Sequence, residues 1–145
     1  GVECDRKGIL FTGQSGKGKT TIAKLFDDAG AVVIHDDRLI IRKINGQYIM
    51  FNTPIYELER SNYTRVDAIY TIDHGKENSC IVPGNVDSLT SVMANCIQHH
   101  WNADLIGRLT GSIKDLTENV AVKNLKFVPD SSVVDFIRND CREEG

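Results

Sequence analysis

The feature that most constrains this chain is a glycine- and lysine-rich segment that joins an apolar run to a run of helix formers. Residues 8–26 read GILFTGQSGKGKTTIAKLF, with glycines at 13, 16 and 18. Gly13, four further residues, Gly18, Lys19 and Thr20 match the pattern G-x-x-x-x-G-K-[ST]. A loop without bulky side chains between a buried strand and the start of a helix is typical of a phosphate-binding P-loop. The segment therefore predicts a strand-loop-helix unit of an α/β fold.

Each position of this loop has a predicted role in holding a nucleotide. The glycines permit positive φ and have no Cβ atom, so consecutive backbone N–H groups can point inward at a polyphosphate. Lys19 can reach the β and γ phosphates, Thr20 can bind Mg²⁺, and Thr21 can contact the α phosphate. Lys17 either adds positive charge near the phosphates or is simply solvated. The predicted nucleotide-binding residues are Gly13, Ser15, Gly16, Lys17, Gly18, Lys19, Thr20 and Thr21.

Composition limits what kind of protein can carry this loop. At 145 residues and 41% hydrophobic content, the chain suits one compact domain over residues 1–145. The formal net charge of -3, with acidic and basic residues interspersed, gives no broad basic face for a nucleic acid or a membrane surface. No apolar run approaches the roughly 20 residues of a membrane span. The four cysteines lack the spacing of a zinc site or a disulfide scaffold, so we expect a reducing cytoplasm.

The order of apolar runs predicts an α/β domain with a mixed sheet and helices packed on it. Runs at 9–11 and 31–34 flank the helix after the loop, and Gly30 is expected to end that helix in the left-handed conformation. These elements form a predicted βαβ unit with a right-handed crossover. Asn45-Gly46 predicts a hairpin. Further strands are expected at 66–72, 80–82 and 120–128, and further helices at 86–101, at 103–120 and from Ser132 onward.

Two adjacent acidic residues, Asp36 and Asp37, close the second predicted strand. Ligands of open α/β sheets lie beyond the carboxyl ends of the strands, so this pair is expected to face the same crevice as the P-loop. One carboxylate can hold Mg²⁺, directly or through water, and the other can accept the proton of an attacking hydroxyl. A solvated turn is the alternative, and His35 is expected to be structural.

Several segments in succession carry a resemblance to a known family. These are residues 8–26, AVVIHDDRLIIR at 31–42, the hairpin NGQYIMFNTP at 45–54, VDAIYTIDHGKENSCIVP at 66–83 and LKFVPDSSVVDFIR at 125–138. In this order they resemble the HPr kinase/phosphorylase family, its shorter HPr-kinase-like relatives and the core of phosphoenolpyruvate carboxykinase. The resemblance implies a P-loop kinase that uses ATP and Mg²⁺ to phosphorylate a hydroxyl, often as an oligomer. It implies catalytic roles for Lys19, Asp36 and Asp37. Carried over by position, Asp36 would hold Mg²⁺ with Thr20 and Asp37 is favoured as the base, although the motif leaves the order of the two aspartates open. The resemblance predicts neither the identity of the acceptor nor a phosphorylase activity.

Three functions of different classes remain open from the sequence. The first is a kinase that transfers the terminal phosphate of ATP to a hydroxyl of a protein or a small molecule. The second is a nucleotide-binding regulatory module with slow hydrolysis. The third is a small-metabolite kinase of the nucleoside or shikimate type, which normally adds an arginine-rich lid. The arginines after the hairpin are scattered at 60, 65, 108, 138 and 142, so this third function ranks below the first.

Overall fold

The apolar runs of the chain form two β-sheets, and helices pack on the larger one. The computed structural model describes residues 1–53, 61–96 and 102–143, without the side chain of residue 143. The strands in these residues are β1 (Val2–Cys4), β2 (Lys7–Thr12), β3 (Val32–Val33), β4 (Leu39–Ile44), β5 (Gln47–Asn52), β6 (Tyr63–Arg65), β7 (Ala68–His74), β8 (Ser79–Ile81) and β9 (Ala121–Phe127). The helices are α1 (Lys19–Asp28), α2 (Asn85–Met93), α3 (Ala103–Asn119) and α4 (Ser132–Glu143).

The larger sheet is mixed, as expected. Its strand order is β3-β1-β2-β7-β9-β8. The central strands β2, β7 and β9 are parallel to one another, whereas β1 and β8 are antiparallel to their neighbours. The predicted α/β class with a mixed sheet and packed helices is therefore confirmed.

The expectation of a simple βαβ unit is wrong in one respect. The strand that follows α1 is only Val32–Val33, and it pairs with β1 and not with β2. The unpredicted strand β1 lies between them because Asp5 and Arg6 turn the chain with φ values of 50° and 64°. Asp-Arg is not one of the residue pairs that signal such a turn. Since β3 lies at the sheet edge, Val32 is 51% exposed and the run 31–34 is not a fully buried strand.

Helix α1 ends as the sequence predicts, because Gly30 adopts the left-handed conformation after its last turn. Gly30 has a φ of 85°. Its N–H donates to the carbonyl of Asp27, and the N–H of Ala31 donates to that of Phe26, both over 2.9 Å, which is a Schellman ending. Helix α3 differs from its prediction only at the last residue. Helix α2 ends at Met93, earlier than predicted, and residues 97–101 of that prediction lie outside the described residues.

The second sheet is antiparallel, in the order β4-β5-β6. The predicted hairpin is confirmed, with φ values of 50° at Asn45 and 81° at Gly46. The predicted strand at 66–72 corresponds to β7, which starts two residues later, and β6 precedes it. Gly8 lets the two sheets meet, because a Cβ at this position would lie 1.6 Å from the carbonyl oxygen of Arg65.

The core lies on both faces of the larger sheet, because successive residues of a strand point to opposite sides. Phe11 of β2 packs on one side in a cluster with residues of α1 and α4, including Phe26 and Val134. Leu10 packs on the other side, with Met50 of β5 and residues of α2 and α3. Within the described residues, no helix has both the length and the apolar character needed to cross a bilayer.

Candidate active site

The glycine-rich loop joins the end of β2 to the start of α1, as the sequence predicts. Gly16 and Gly18 adopt φ values of 83° and 94°, which side chains rarely tolerate. Gly13 does not have a positive φ, so it does not use this backbone freedom. Gly13 is instead buried against β7, where an added Cβ would lie 3.1 Å from the carbonyl oxygen of Ile72. Its small size is thus needed for packing and not for backbone freedom.

The start of α1 presents hydrogen-bond donors to the space above the loop. Gly18 is the N-cap of α1, and no side chain caps this helix end. No described residue accepts a hydrogen bond from the N–H groups of Gly16, Gly18 or Lys19. Such donors, together with the positive end of the helix dipole, favour an anion at this position.

The Lys19 side chain folds over its own loop. Its ammonium group donates hydrogen bonds to the carbonyl oxygens of Gly13 over 2.7 Å and of Gln14 over 3.0 Å. Both acceptors are neutral, and a phosphate oxygen would accept a stronger, charge-assisted hydrogen bond. The Lys19 ammonium group therefore lies at the loop, and a bound anion can replace its two carbonyl acceptors.

The loop and the acidic pair face the same cavity. This cavity has a volume of about 310 Å³. It is lined by Ser15, Gly16, Gly18, Lys19, Thr20, Thr21, Asp36 and Asp37. Of the residues predicted from the sequence, only Gly13 and Lys17 are not part of its wall. The two aspartates thus lie on the same side of the sheet as the helix N-terminus, as the sequence predicts.

His35 holds the turn that carries the acidic pair. Its side chain is only 9% exposed. Its Nδ1 atom accepts hydrogen bonds from the backbone N–H of Asp37 over 3.0 Å and of Arg38 over 3.2 Å. Both donors are backbone amides. The role of His35 is therefore structural, as expected: its imidazole holds the backbone of the turn at Asp37 and Arg38.

The two carboxylates have different surroundings. The Asp36 carboxylate is 52% exposed and lies 3.8 Å from Nδ1 of His35. The Asp37 carboxylate is 70% exposed and lies 3.6 Å from Nε of Arg38. Arg38 is the cation nearest to Asp37 among the ion pairs of the described residues, so it can balance part of the charge of the pair.

Sequence reasoning missed a contact of the loop with the end of β7. Because β7 is the parallel neighbour of β2, its last residues lie at the same sheet edge as the loop. The ammonium of Lys17 lies 2.8 Å from the carboxylate of Asp73, an ion pair that neither alternative for Lys17 included. The hydrogen bond from Lys17, helped by the N–H of His74, lowers the pKa of Asp73. Nε2 of His74 lies 3.2 Å from the carbonyl oxygen of Gly16.

The residues around the cavity fit Mg²⁺ bound together with a polyphosphate. Within residues 1–53, 61–96 and 102–143, no cluster of three or more acidic, histidine or cysteine side chains forms a metal site. Mg²⁺ does not need such a cluster, because it commonly keeps several waters and uses one or two carboxylates plus substrate phosphates. The Thr20 hydroxyl and the Asp36 carboxylate face the same cavity and have the oxygen donors that Mg²⁺ prefers.

Comparison of the whole chain with protein-family models, with curated proteins and with solved structures gave no match.

Proposed function

We propose that this protein is a nucleotide-dependent kinase that transfers the terminal phosphate of ATP to a hydroxyl acceptor, on a protein serine or on a small molecule, as in the HPr-kinase-like family that its sequence resembles. The observation that carries the proposal is the shared cavity, which is lined by Lys19 and Thr20 of the loop and by Asp36 and Asp37. Kinases require positive charge and amide donors at the phosphates and a carboxylate near the attacking hydroxyl. Residues of both kinds line this cavity.

In the proposed phosphate transfer, each residue of the site has a separate role. The backbone N–H groups of Gly16, Gly18 and Lys19 bind the phosphates, and the Lys19 ammonium leaves its carbonyl partners to contact the terminal phosphate. Thr20 and Asp36 would hold Mg²⁺, which neutralises phosphate charge when it is bound. Asp37 accepts the proton of the acceptor hydroxyl as the oxygen attacks phosphorus. Arg38 and His35 orient the carboxylates.

The partners included in the proposal follow from the same site. They are a nucleotide, Mg²⁺ and one phosphoacceptor, in a cytoplasmic setting and without nucleic acid or membrane. The resemblance adds a homo-oligomer to this proposal. The exposure of both aspartates, 52% for Asp36 and 70% for Asp37, suits an acceptor that enters from solvent.

An assay with γ-labelled ATP and Mg²⁺ tests the proposal most directly. The protein is incubated with fractionated cell extract, and the label is followed into protein, small molecules and inorganic phosphate. Label on a protein or a metabolite supports the kinase, provided that the Asp37→Asn variant no longer produces it. Release of free phosphate alone at a rate unaffected by Asp37→Asn would contradict the proposal and favour the regulatory module with slow hydrolysis.

A further inference from the structure

A second cavity lies at the opposite end of β2 from the glycine-rich loop. Lys7 starts this strand, and the loop follows its last residue, Thr12. The cavity has a volume of about 200 Å³. The polar and reactive side chains in its wall are Cys4, Asp5, Lys7, Arg138, Cys141 and Arg142. Two thiols, three cations and one carboxylate thus line one small space that the proposed kinase reaction does not use, and the Asp5 carboxylate lies 3.6 Å from Arg138 and 3.7 Å from Arg142.

The sulfur of Cys4 is in direct contact with a cation. Nε of Arg138 donates a hydrogen bond to this sulfur over 3.3 Å. The hydrogen bond to Cys4 is also the main reason why the pKa of Arg138 is raised. Cys4 is 4% exposed, so water screens this contact poorly. Cysteines that react readily with oxidants have this kind of electropositive neighbour and are partly accessible, and Cys4 meets the second condition only through the cavity that it lines.

Cys141 lies on the same side of α4 as Arg138. The two residues are three positions apart, so their side chains are neighbours on the helix surface. The Cys141 sulfur lies 3.5 Å from the hydroxyl of Tyr70. Cys4 and Cys141 line the same cavity of about 200 Å³, so the two thiol side chains lie close together in the fold.

The other two cysteines have different environments. Burial raises the pKa of the Cys96 thiol, and this thiol donates to the carbonyl of Val92 over 3.4 Å. A thiol held in its protonated form is a poor nucleophile. Cys80 is on β8, at the far edge of the larger sheet from β1. Both serve as internal controls.

We propose that Cys4 and Cys141 form a redox-active pair that a peroxide oxidises to an intramolecular disulfide. The Cys4 thiolate attacks one oxygen of hydrogen peroxide, the O–O bond breaks, and the leaving hydroxide takes up a proton to give water and a Cys4 sulfenic acid. The Cys141 thiolate then attacks the Cys4 sulfur, and a second water leaves. Two thiols and one peroxide thus give one disulfide and two waters. Disulfides of a reducing compartment are typically transient sensors of this kind. The inference does not depend on nucleotide binding.

Peptide mapping after oxidation tests the pair. The reduced full chain is treated with equimolar hydrogen peroxide, blocked with N-ethylmaleimide and digested with trypsin. Cys4 falls in peptide 1–6, Cys141 in peptide 139–142, and both remaining cysteines fall together in peptide 77–108. We expect a disulfide-linked product of peptides 1–6 and 139–142, while peptide 77–108 stays fully alkylated. Oxidation that leaves peptides 1–6 and 139–142 unlinked, or that consumes the thiols of peptide 77–108 first, would overturn the proposal.

Variants separate the role of the cation from folding. In Arg138→Met, Cys141 falls in tryptic peptide 127–142, and formation of the product that links this peptide to peptide 1–6 should slow by about three- to tenfold; Arg138→Lys should restore part of the rate. Arg108→Met, which changes an exposed arginine of α3, is the matched control and should leave the rate unchanged. An Arg138→Met variant with an unaltered rate and an unaltered circular dichroism spectrum would contradict the role assigned to the guanidinium.

Discussion

Nδ1 of His35 accepts a hydrogen bond from the backbone N–H of Asp37 over 3.0 Å. A side chain on the last residue before the acidic pair therefore fixes the backbone that presents the proposed base. The same atom also binds the N–H of Arg38, the residue whose guanidinium lies 3.6 Å from the Asp37 carboxylate. One imidazole thus positions both the proposed base and the cation nearest to it among the ion pairs of the described residues.

Replacing His35 should impair phosphate transfer more than nucleotide binding. In His35→Ala the N–H groups of Asp37 and Arg38 lose their acceptor, and we expect transfer to fall about 10- to 100-fold through misplacement of the carboxylate. His35→Asn offers an oxygen close to the position of Nδ1 and should recover most of the rate. Steady-state kinetics with isothermal titration of nucleotide check this. Equal losses in the alanine and asparagine variants would argue against the positioning role.

Asp37→Asn should remove the proposed base without removing the site. Asparagine has nearly the same shape as aspartate but cannot act as a base near neutral pH. The rate of phosphate transfer should therefore fall by a factor of about 10² to 10⁴, while nucleotide affinity stays within a few fold of that of the unaltered protein. Rapid-quench measurement of a single turnover gives the chemical step. Asp36→Asn is the comparison, and it should raise the Mg²⁺ concentration required for half-maximal activity. Unchanged transfer in Asp37→Asn would exclude this residue as the base.

Lys19→Ala should weaken nucleotide binding. The lysine supplies a full positive charge next to the loop carbonyls, and its loss should cost about 1.5 to 3 kcal/mol, the usual range for a hydrogen bond to a charged group. Fluorescence anisotropy with a labelled nucleotide measures the change. Lys24→Ala, an exposed lysine on the same helix, is the matched control and should bind as the unaltered protein does. A similar loss in both variants would indicate general electrostatics and not a specific contact.

Lys17→Met should raise the pKa of Asp73. In the folded protein the hydrogen bond from Lys17 and the N–H of His74 lower this pKa from the ordinary value of 3.8. The stabilisation from the ionised carboxylate is complete above the unfolded value and is lost as pH falls through the lower folded value. The unaltered protein should therefore lose more stability than the variant on acidification below about pH 4. Carbon-detected NMR titration of the Asp73 carboxyl gives the pKa directly, and no difference between the two proteins would contradict the pairing in solution.

Lys123→Met should strongly destabilise the fold. The Lys123 side chain is 5% exposed, and its ammonium lies 2.8 Å from a carboxylate oxygen of Asp140, which also accepts from the Tyr70 hydroxyl. Removal of the lysine leaves a poorly solvated carboxylate, so we expect a loss of about 3 to 5 kcal/mol in the free energy of unfolding by urea. Lys114→Met is the control, since its exposed pair with Glu118 should contribute less than about 1 kcal/mol. The prediction fails if the two variants lose similar stability.

Much of the site could be predicted because its parts are local in the chain. Gly16 and Gly18 have the positive φ that their residue type allows, and the N-terminus of α1 follows them directly. The Asn45-Gly46 hairpin and the Gly30 helix ending are local for the same reason. Gly13 shows the limit of this reasoning, because its small size is required by close packing against the carbonyl oxygen of Ile72, a residue of a different strand.

The sequence by itself determined the loop, the helix it starts, the hairpin and the position of the acidic pair along the chain, because each depends on backbone preferences within a few residues. Only the tertiary structure decided that β1 separates β2 from β3, that Asp73 pairs with Lys17, and that Cys4 meets Arg138. These contacts join residues 56 and 134 positions apart in the latter two cases. Strand order and such distant contacts depend on the free energy of the whole fold, which combines the entropic cost of closing long loops with the gain from burying surface. A pattern of a few neighbouring residues does not contain this information.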